Sequence, residues 1–84
     1  MSAATKAIIE EWFDRGVREK EEFMIVVCDT YDHDDYPVYT SKKNYAKEYA
    51  EHNGENMQRI MEVYNLKMSK KKQMAERRAF NGPK

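Results

Sequence analysis

The sequence predicts an α+β domain, a small mixed β-sheet of about three strands packed by helices in the order α-β-β-α-β-α. Three observations carry that expectation. The run Met24-Ile25-Val26-Val27-Cys28 is rich in β-branched residues and apolar at consecutive positions, the pattern of a strand covered on both faces. Upstream of it, apolar residues recur every three or four positions, the period of a helix with one buried face. The 84 residues suffice for one domain, spanning residues 1–84, and are too few for two.

The first helix is expected over residues 4–20. Ile8, Ile9, Trp12, Phe13, Gly16 and Val17 share one face, and Glu10, Glu11, Asp14, Arg15 and Arg18 fall largely on the other. Acids come early and bases late, in accord with the helix dipole. Gly16 costs about 1 kcal/mol against alanine inside a helix. Either another element packs closely there, or the helix bends or ends near it.

The central strand covers residues 23–30. A second, short strand follows at residues 37–40, and residues 31–37 form a loop or an extended hairpin connection. Pro37 lacks an amide hydrogen, so it belongs at the start of its strand or on a sheet edge. Ser41 is a suitable N-cap for a helix over residues 42–52, whose stripe is Tyr45, Ala46, Tyr49 and Ala50. Asn53-Gly54 closes that helix. Residues 56–66 fit two patterns. A helix would line up Met57, Ile60, Met61 and Tyr64, whereas a strand would alternate Ile60, Glu62, Tyr64 and Leu66 against Met61, Val63 and Asn65. A strand over 59–66 is favoured, because Val63 and Tyr64 prefer strands and a two-stranded sheet is marginal alone. Ser69 then caps a last helix over residues 70–80, with Met74, Ala75, Arg78 and Ala79 on its packed side. Lys70, Lys71 and Lys72 in its first turn oppose the helix dipole. Asn81-Gly82-Pro83 stops it.

Composition narrows the function classes. The lone Cys28 permits no intramolecular disulfide and sits in the most apolar run, which points to a core thiol and a reducing, cytoplasmic setting. The opening residues lead into an amphipathic pattern containing acids rather than a signal peptide. The longest apolar run, residues 23–28, is far short of a membrane span. Net charge is zero but uneven. Residues 67–84 carry seven bases and one acid, a net +6, and residues 1–66 carry the compensating −6. Homo-oligomers held by these poles, or a charged partner, are therefore expected.

Residues 24–39, Met-Ile-Val-Val-Cys-Asp-Thr-Tyr-Asp-His-Asp-Asp-Tyr-Pro-Val-Tyr, and residues 56–64, Asn-Met-Gln-Arg-Ile-Met-Glu-Val-Tyr, carry a resemblance. The chain resembles, over most of its length, small proteins of bacterial and phage genomes that have no assigned activity. That resemblance implies an accessory or host-interaction factor rather than a housekeeping enzyme.

The densest polar cluster leaves the end of the central strand. Asp29, Asp32, His33 and Asp35 offer oxygen and nitrogen donors for a divalent metal, the basis of an alternative reading as a small metal-dependent hydrolase or nuclease. Their spacing matches neither a calcium-binding hand nor a zinc-protease helix. The favoured reading is recognition without catalysis or cofactor. Tyr31, Asp32, His33, Asp35, Tyr36 and Tyr39 would form an acidic, aromatic contact surface, since tyrosine gives contact area at low entropic cost. Lys71, Arg77 and Arg78 would add cations for a small anionic, nucleotide-like ligand. The expected partner is thus a protein or such an anion. Neutral overall charge and the lack of a nucleic-acid-binding signature argue against DNA or RNA.

Overall fold

The computed structural model describes residues 4–54 and 57–83. Its elements are α1 (Lys6–Arg18), β1 (Phe23–Asp29), β2 (Asp34–Thr40), α2 (Tyr45–His52), β3 (Gln58–Asn65) and α3 (Lys70–Ala75), in the order expected from the sequence. The strands form one sheet in the order β2-β1-β3, with β1 antiparallel to both neighbours. β2 and β3 consequently run parallel to each other, and α2 carries the chain from one side of β1 to the other. A parallel bridge between Val63 and Phe80 adds the chain after α3 to the outer edge of β3. Two backbone bonds hold it, from Val63 N–H to the Ala79 carbonyl (2.8 Å) and from Asn81 N–H to the Val63 carbonyl (3.0 Å).

β1 is buried from Phe23 to Cys28 because helices cover both faces, as its unbroken apolar run requires. On one face Met24, Val26, Tyr64 and Leu66 pack with Ile9 and Phe13 of α1 and with Ala79. On the other, Ile25, Val27, Ile60 and Val63 pack under Tyr45 and Tyr49 of α2. The register shifts between Val26 and Val27, which face Glu62 and Ile60, so Met61 is the extra residue of a bulge. Glu62 is buried there, and its Oε1 accepts a bond from the enclosed Tyr64 hydroxyl (2.9 Å). Burial, reinforced by Glu62, pushes the Tyr64 phenol well above the usual tyrosine range.

Gly16 is where α1 meets the sheet. A Cβ there would lie 2.7 Å from Leu66 Cδ1 and 2.7 Å from Tyr39 Cε1. Close packing, rather than a bend, accounts for the glycine. Thr5 caps α1 by accepting from Ile8 N–H (3.2 Å). Ile8 and Val17, expected on the buried face, are exposed at its margins.

Three boundaries differ from expectation by three residues or more, the others by two at most. β2 begins three residues early, at Asp34, and places Pro37 opposite Val26 in its middle. The strand tolerates proline because its only strand neighbour among the described residues is β1, so an amide on its outer side has no ladder bond to lose. α2 starts at Tyr45 rather than residue 42, because Ser41 closes a preceding turn, its Oγ accepting from Asn44 N–H (3.2 Å). Ala46 and Ala50 are exposed, so the packed side of α2 is Tyr45 and Tyr49.

α3 ends at Ala75 rather than residue 80. Ser69 caps it as expected, accepting from Lys72 N–H (3.2 Å). The helix stops because the next residues are held elsewhere. The buried Gln73 side chain accepts from Asn65 N–H (2.8 Å) and from Asn81 Nδ2 (3.1 Å), and its Nε2 donates to the Asn65 carbonyl (2.9 Å) and the Ser69 carbonyl (3.2 Å). This clamp ties the end of β3 to α3 and to the final segment. Among the described residues, no helix is long and apolar enough to cross a membrane.

Candidate functional site

The acidic cluster forms the turn between β1 and β2. Asp29 Oδ1 accepts from the amides of Tyr31 (2.8 Å) and Asp32 (3.3 Å), and His33 N–H donates to the Asp29 carbonyl (2.6 Å). His33 adopts the left-handed region at φ 61°, which lets four residues, 30–33, reverse the chain. Thr30 N–H donates to the Met57 carbonyl (2.7 Å), joining the turn to the start of β3, and Met57 is itself left-handed at φ 60°. At this end of the sheet Tyr31 is 72% exposed and Met57 56% exposed. Two large side chains therefore stand in solvent at this end of the sheet, on backbone that hydrogen bonds fix. The sequence reading missed Met57, which lay in the segment whose strand or helix state was ambiguous.

The other expected site residues disperse. Tyr36 and Tyr39 lie on opposite faces of β2 and are half-buried. Burial pushes the Tyr36 phenol up. The Tyr39 hydroxyl donates to the Trp12 carbonyl (2.6 Å) and accepts from Arg15 Nε (3.3 Å), and the Arg15 guanidinium sits 5.6 Å from the ring centroid. Tyr39 thus fastens α1 to the sheet and is not part of a surface shared with Tyr31. Asp35 turns inward, where its Oδ2 accepts from Ala4 N–H (3.0 Å). Its Oδ1 is buried without a hydrogen-bond partner of good geometry among the described residues. It faces Cys28, whose thiol is pushed up by burial first and by Asp35 second. Arg77 and Arg78 lie on the bend after α3 and line a cleft of about 230 Å³ with Lys6, Asp35 and Glu62. Lys71 stands exposed on α3 and does not line this cleft.

Among the described residues, no three His, Cys, Asp or Glu side chains are placed to hold a metal ion. Asp29 uses a carboxylate oxygen on the turn amides, and Asp35 points away from that turn toward α1. His52 is accounted for within α2, where Nδ1 donates to the Glu48 carbonyl (2.8 Å).

A second surface lies on the α2 side. Tyr45, Tyr49, Met68, Phe80 and Pro83 line a trough of about 560 Å³. A smaller hollow of about 360 Å³ continues it past Met68 to Glu22, Lys42 and Lys67. Met68 is 53% and Phe80 55% exposed. The Tyr45 ring stacks obliquely on Tyr49 (5.7 Å between centroids) and Phe23 (5.6 Å), and burial pushes its phenol up. Gly82 makes room for it, because a Cβ there would lie 2.5 Å from the Tyr45 hydroxyl. The one available sequence signal was that Phe80 stands outside the helical stripe formed by Met74, Ala75, Arg78 and Ala79. Compared with known proteins, the chain has no significant match to a family model, a curated protein or a solved structure.

Proposed function

We propose that this chain is a non-catalytic interaction module, an accessory factor of the bacterial or phage kind it resembles, that works by occupying a protein partner. The observation that supports this reading is the end of the sheet where Tyr31 stands exposed on a hydrogen-bonded turn and Met57 stands exposed at the start of β3, its carbonyl tied to that turn by Thr30 N–H. A rigid aromatic and an adaptable methionine, with Asp32 next to the aromatic in the turn, suit a partner surface with an apolar pocket and a basic group at its rim. Between the two ligand classes expected from the sequence, this geometry favours a protein. An anion would meet Asp32 at this end, while Arg77 and Arg78 stand in a separate cleft that already contains Asp35 and Glu62.

The test is a photo-crosslinking side chain placed at Tyr31 in the producing cell, with Lys47 on the exposed side of α2 as the comparison site. A discrete protein adduct at position 31, absent at 47 and weakened by salt, is the expected result. No adduct at 31, or the same adducts at both positions, would refute the reading.

A further inference from the structure

We infer that the cleft between the start of α1, the β3 bulge and the bend after α3 binds a small zwitterion, a compound carrying an ammonium and a carboxylate group on one short carbon chain. Its charges are ordered by depth. Innermost is Glu62, 7% exposed, with Oε1 accepting from the Tyr64 hydroxyl. Asp35 is half-buried, and its Oδ2 accepts from Ala4 N–H (3.0 Å). Lys6, Arg77 and Arg78 are exposed and form the mouth. Lys6 Nζ donates to the Glu76 carbonyl (3.1 Å), which ties α1 to the bend at that point. Among the described residues, none of these three cations forms an ion pair with either acid, although all five side chains line one cleft. The bulge sets this arrangement up. Met61 packs with the α1-side core and Glu62 bonds to Tyr64 of the same core, whereas an unbroken strand would send two successive residues to opposite faces.

Depth order selects the ligand. A buried carboxylate is costly unless a cation or enough hydrogen bonds compensate it, and the Tyr64 hydroxyl is the one such group that Glu62 meets among the described residues. A ligand ammonium group placed against Glu62 and Asp35 Oδ2 supplies the missing charge. A simple anion drawn in by the arginines would meet those carboxylates at the bottom. A simple amine would answer the acids but leave the arginines facing its apolar tail. A zwitterion with its ammonium inward and its carboxylate outward satisfies both layers, and arginine suits a carboxylate through its paired donors. Ile9, Val26 and Met61 provide an apolar wall for the carbon chain. At about 230 Å³ the cleft falls below the roughly 300–1,000 Å³ of sites for drug-sized ligands. It has room for about seven waters at ~30 Å³ each, the size of an amino acid with a short carbon chain rather than of a nucleotide. The site shares no residue with the Tyr31 contact.

The experiment is an amide-resolved NMR titration of the isotope-labelled full chain with γ-aminobutyrate and with alanine, at fixed pH and ionic strength. Butyrate and butylamine, which carry one charge each, are the comparison compounds. At least one zwitterion is expected to shift the amides of Met61, Glu62, Arg77 and Arg78 saturably, with a Kd of about 1 mM for so small a ligand. Butyrate and butylamine should each bind at least about tenfold more weakly, since each forgoes one set of charged hydrogen bonds. Arg77→Gln combined with Arg78→Gln, both at exposed side chains, should weaken zwitterion binding by at least about tenfold. So should Glu62→Gln, which keeps an acceptor for the Tyr64 hydroxyl. Lys71→Gln, outside the cleft, should leave binding unchanged. A urea midpoint close to wild type establishes that each variant is folded, and the arginine pair decides the matter if Glu62→Gln is not. No saturable shift at about 20 mM of either zwitterion would overturn the inference. So would butyrate or butylamine binding as tightly as the zwitterions, or binding indifferent to the arginine substitutions. The Tyr31 crosslink is read separately and is untouched by any of these outcomes.

Discussion

Replacing Gln73 by leucine removes the clamp that joins three parts of the fold while keeping a side chain of similar length. Gln73 is 2% exposed and takes part in four hydrogen bonds, two with the Asn65 backbone. Leucine satisfies neither the Asn65 amide nor its carbonyl. Each orphaned buried group costs about 1–3 kcal/mol. Asn65 is only half-buried, so water recovers part of that, and the expected loss is about 3 kcal/mol. A chain of 84 residues has roughly 4–13 kcal/mol of total stability, so the change removes a large share. The assay is urea unfolding followed by far-ultraviolet circular dichroism. With a slope of about 1–1.5 kcal/mol/M, the midpoint falls by roughly 2–3 M at unchanged slope. Asn81→Ala, which removes one of the four bonds, should cost about 1 kcal/mol. A Gln73→Leu midpoint within about 0.3 M of wild type would mean that apolar packing and the Val63 bridge hold the final segment without Gln73, and would refute the clamp.

Two further outcomes follow from the core. Gly16→Ala gains about 1 kcal/mol of helix propensity, but its methyl meets Leu66 and the tethered Tyr39 at 2.7 Å. Overpacking at such a site costs about 1–3 kcal/mol, so the melting temperature should fall, and a rise would show that Tyr39 yields freely. Alkaline pH is the second perturbation. Tyr64 ionises less readily folded than unfolded, so its contribution is complete below the unfolded pKa of about 10 and is lost as pH climbs above it. Stability should decline above about pH 10, by up to ~1.4 kcal/mol per pH unit for this one tyrosine. Tyr64→Phe should flatten that decline, and an unchanged slope in the variant would sink the assignment.

The elements that were legible in the sequence were those whose local pattern and tertiary role agree. β1 reads correctly because a strand buried on both faces must be apolar at consecutive positions, and β3 because Val63 and Tyr64 suit a pleated surface. Ser69 also reads correctly, for a local reason that the structure retains, whereas Gly16 left close packing and a bend open and only the contacts with Leu66 and Tyr39 decide for packing. The failures lie where distant contacts override local preference. Residues 76–80 continue a helical pattern, yet the β3 edge and the Gln73 clamp draw them into a bend at 76–78 and a bridge to β3 at Phe80. The tyrosines of the acidic segment look like one surface in sequence, but strand alternation sends Tyr36 and Tyr39 to opposite faces. The trough had no local signature beyond the place of Phe80 outside the helical stripe, because Tyr45, Met68 and Phe80 meet only through the third dimension.

The way α2 is held has a consequence for how the protein ages in solution. This eight-residue helix has no fully buried residue and no side-chain bond at its N-cap, so two tyrosines do most of the holding. A cover of that kind lifts at far lower cost than the whole domain unfolds. Each lift bares Ile25, Val27, Ile60 and Val63, part of a β-rich stretch suited to pairing between molecules. Shelf life is then governed by how often one short helix opens rather than by the melting point of the domain. Mutations that leave the melting temperature untouched can still change how quickly a stored sample turns cloudy.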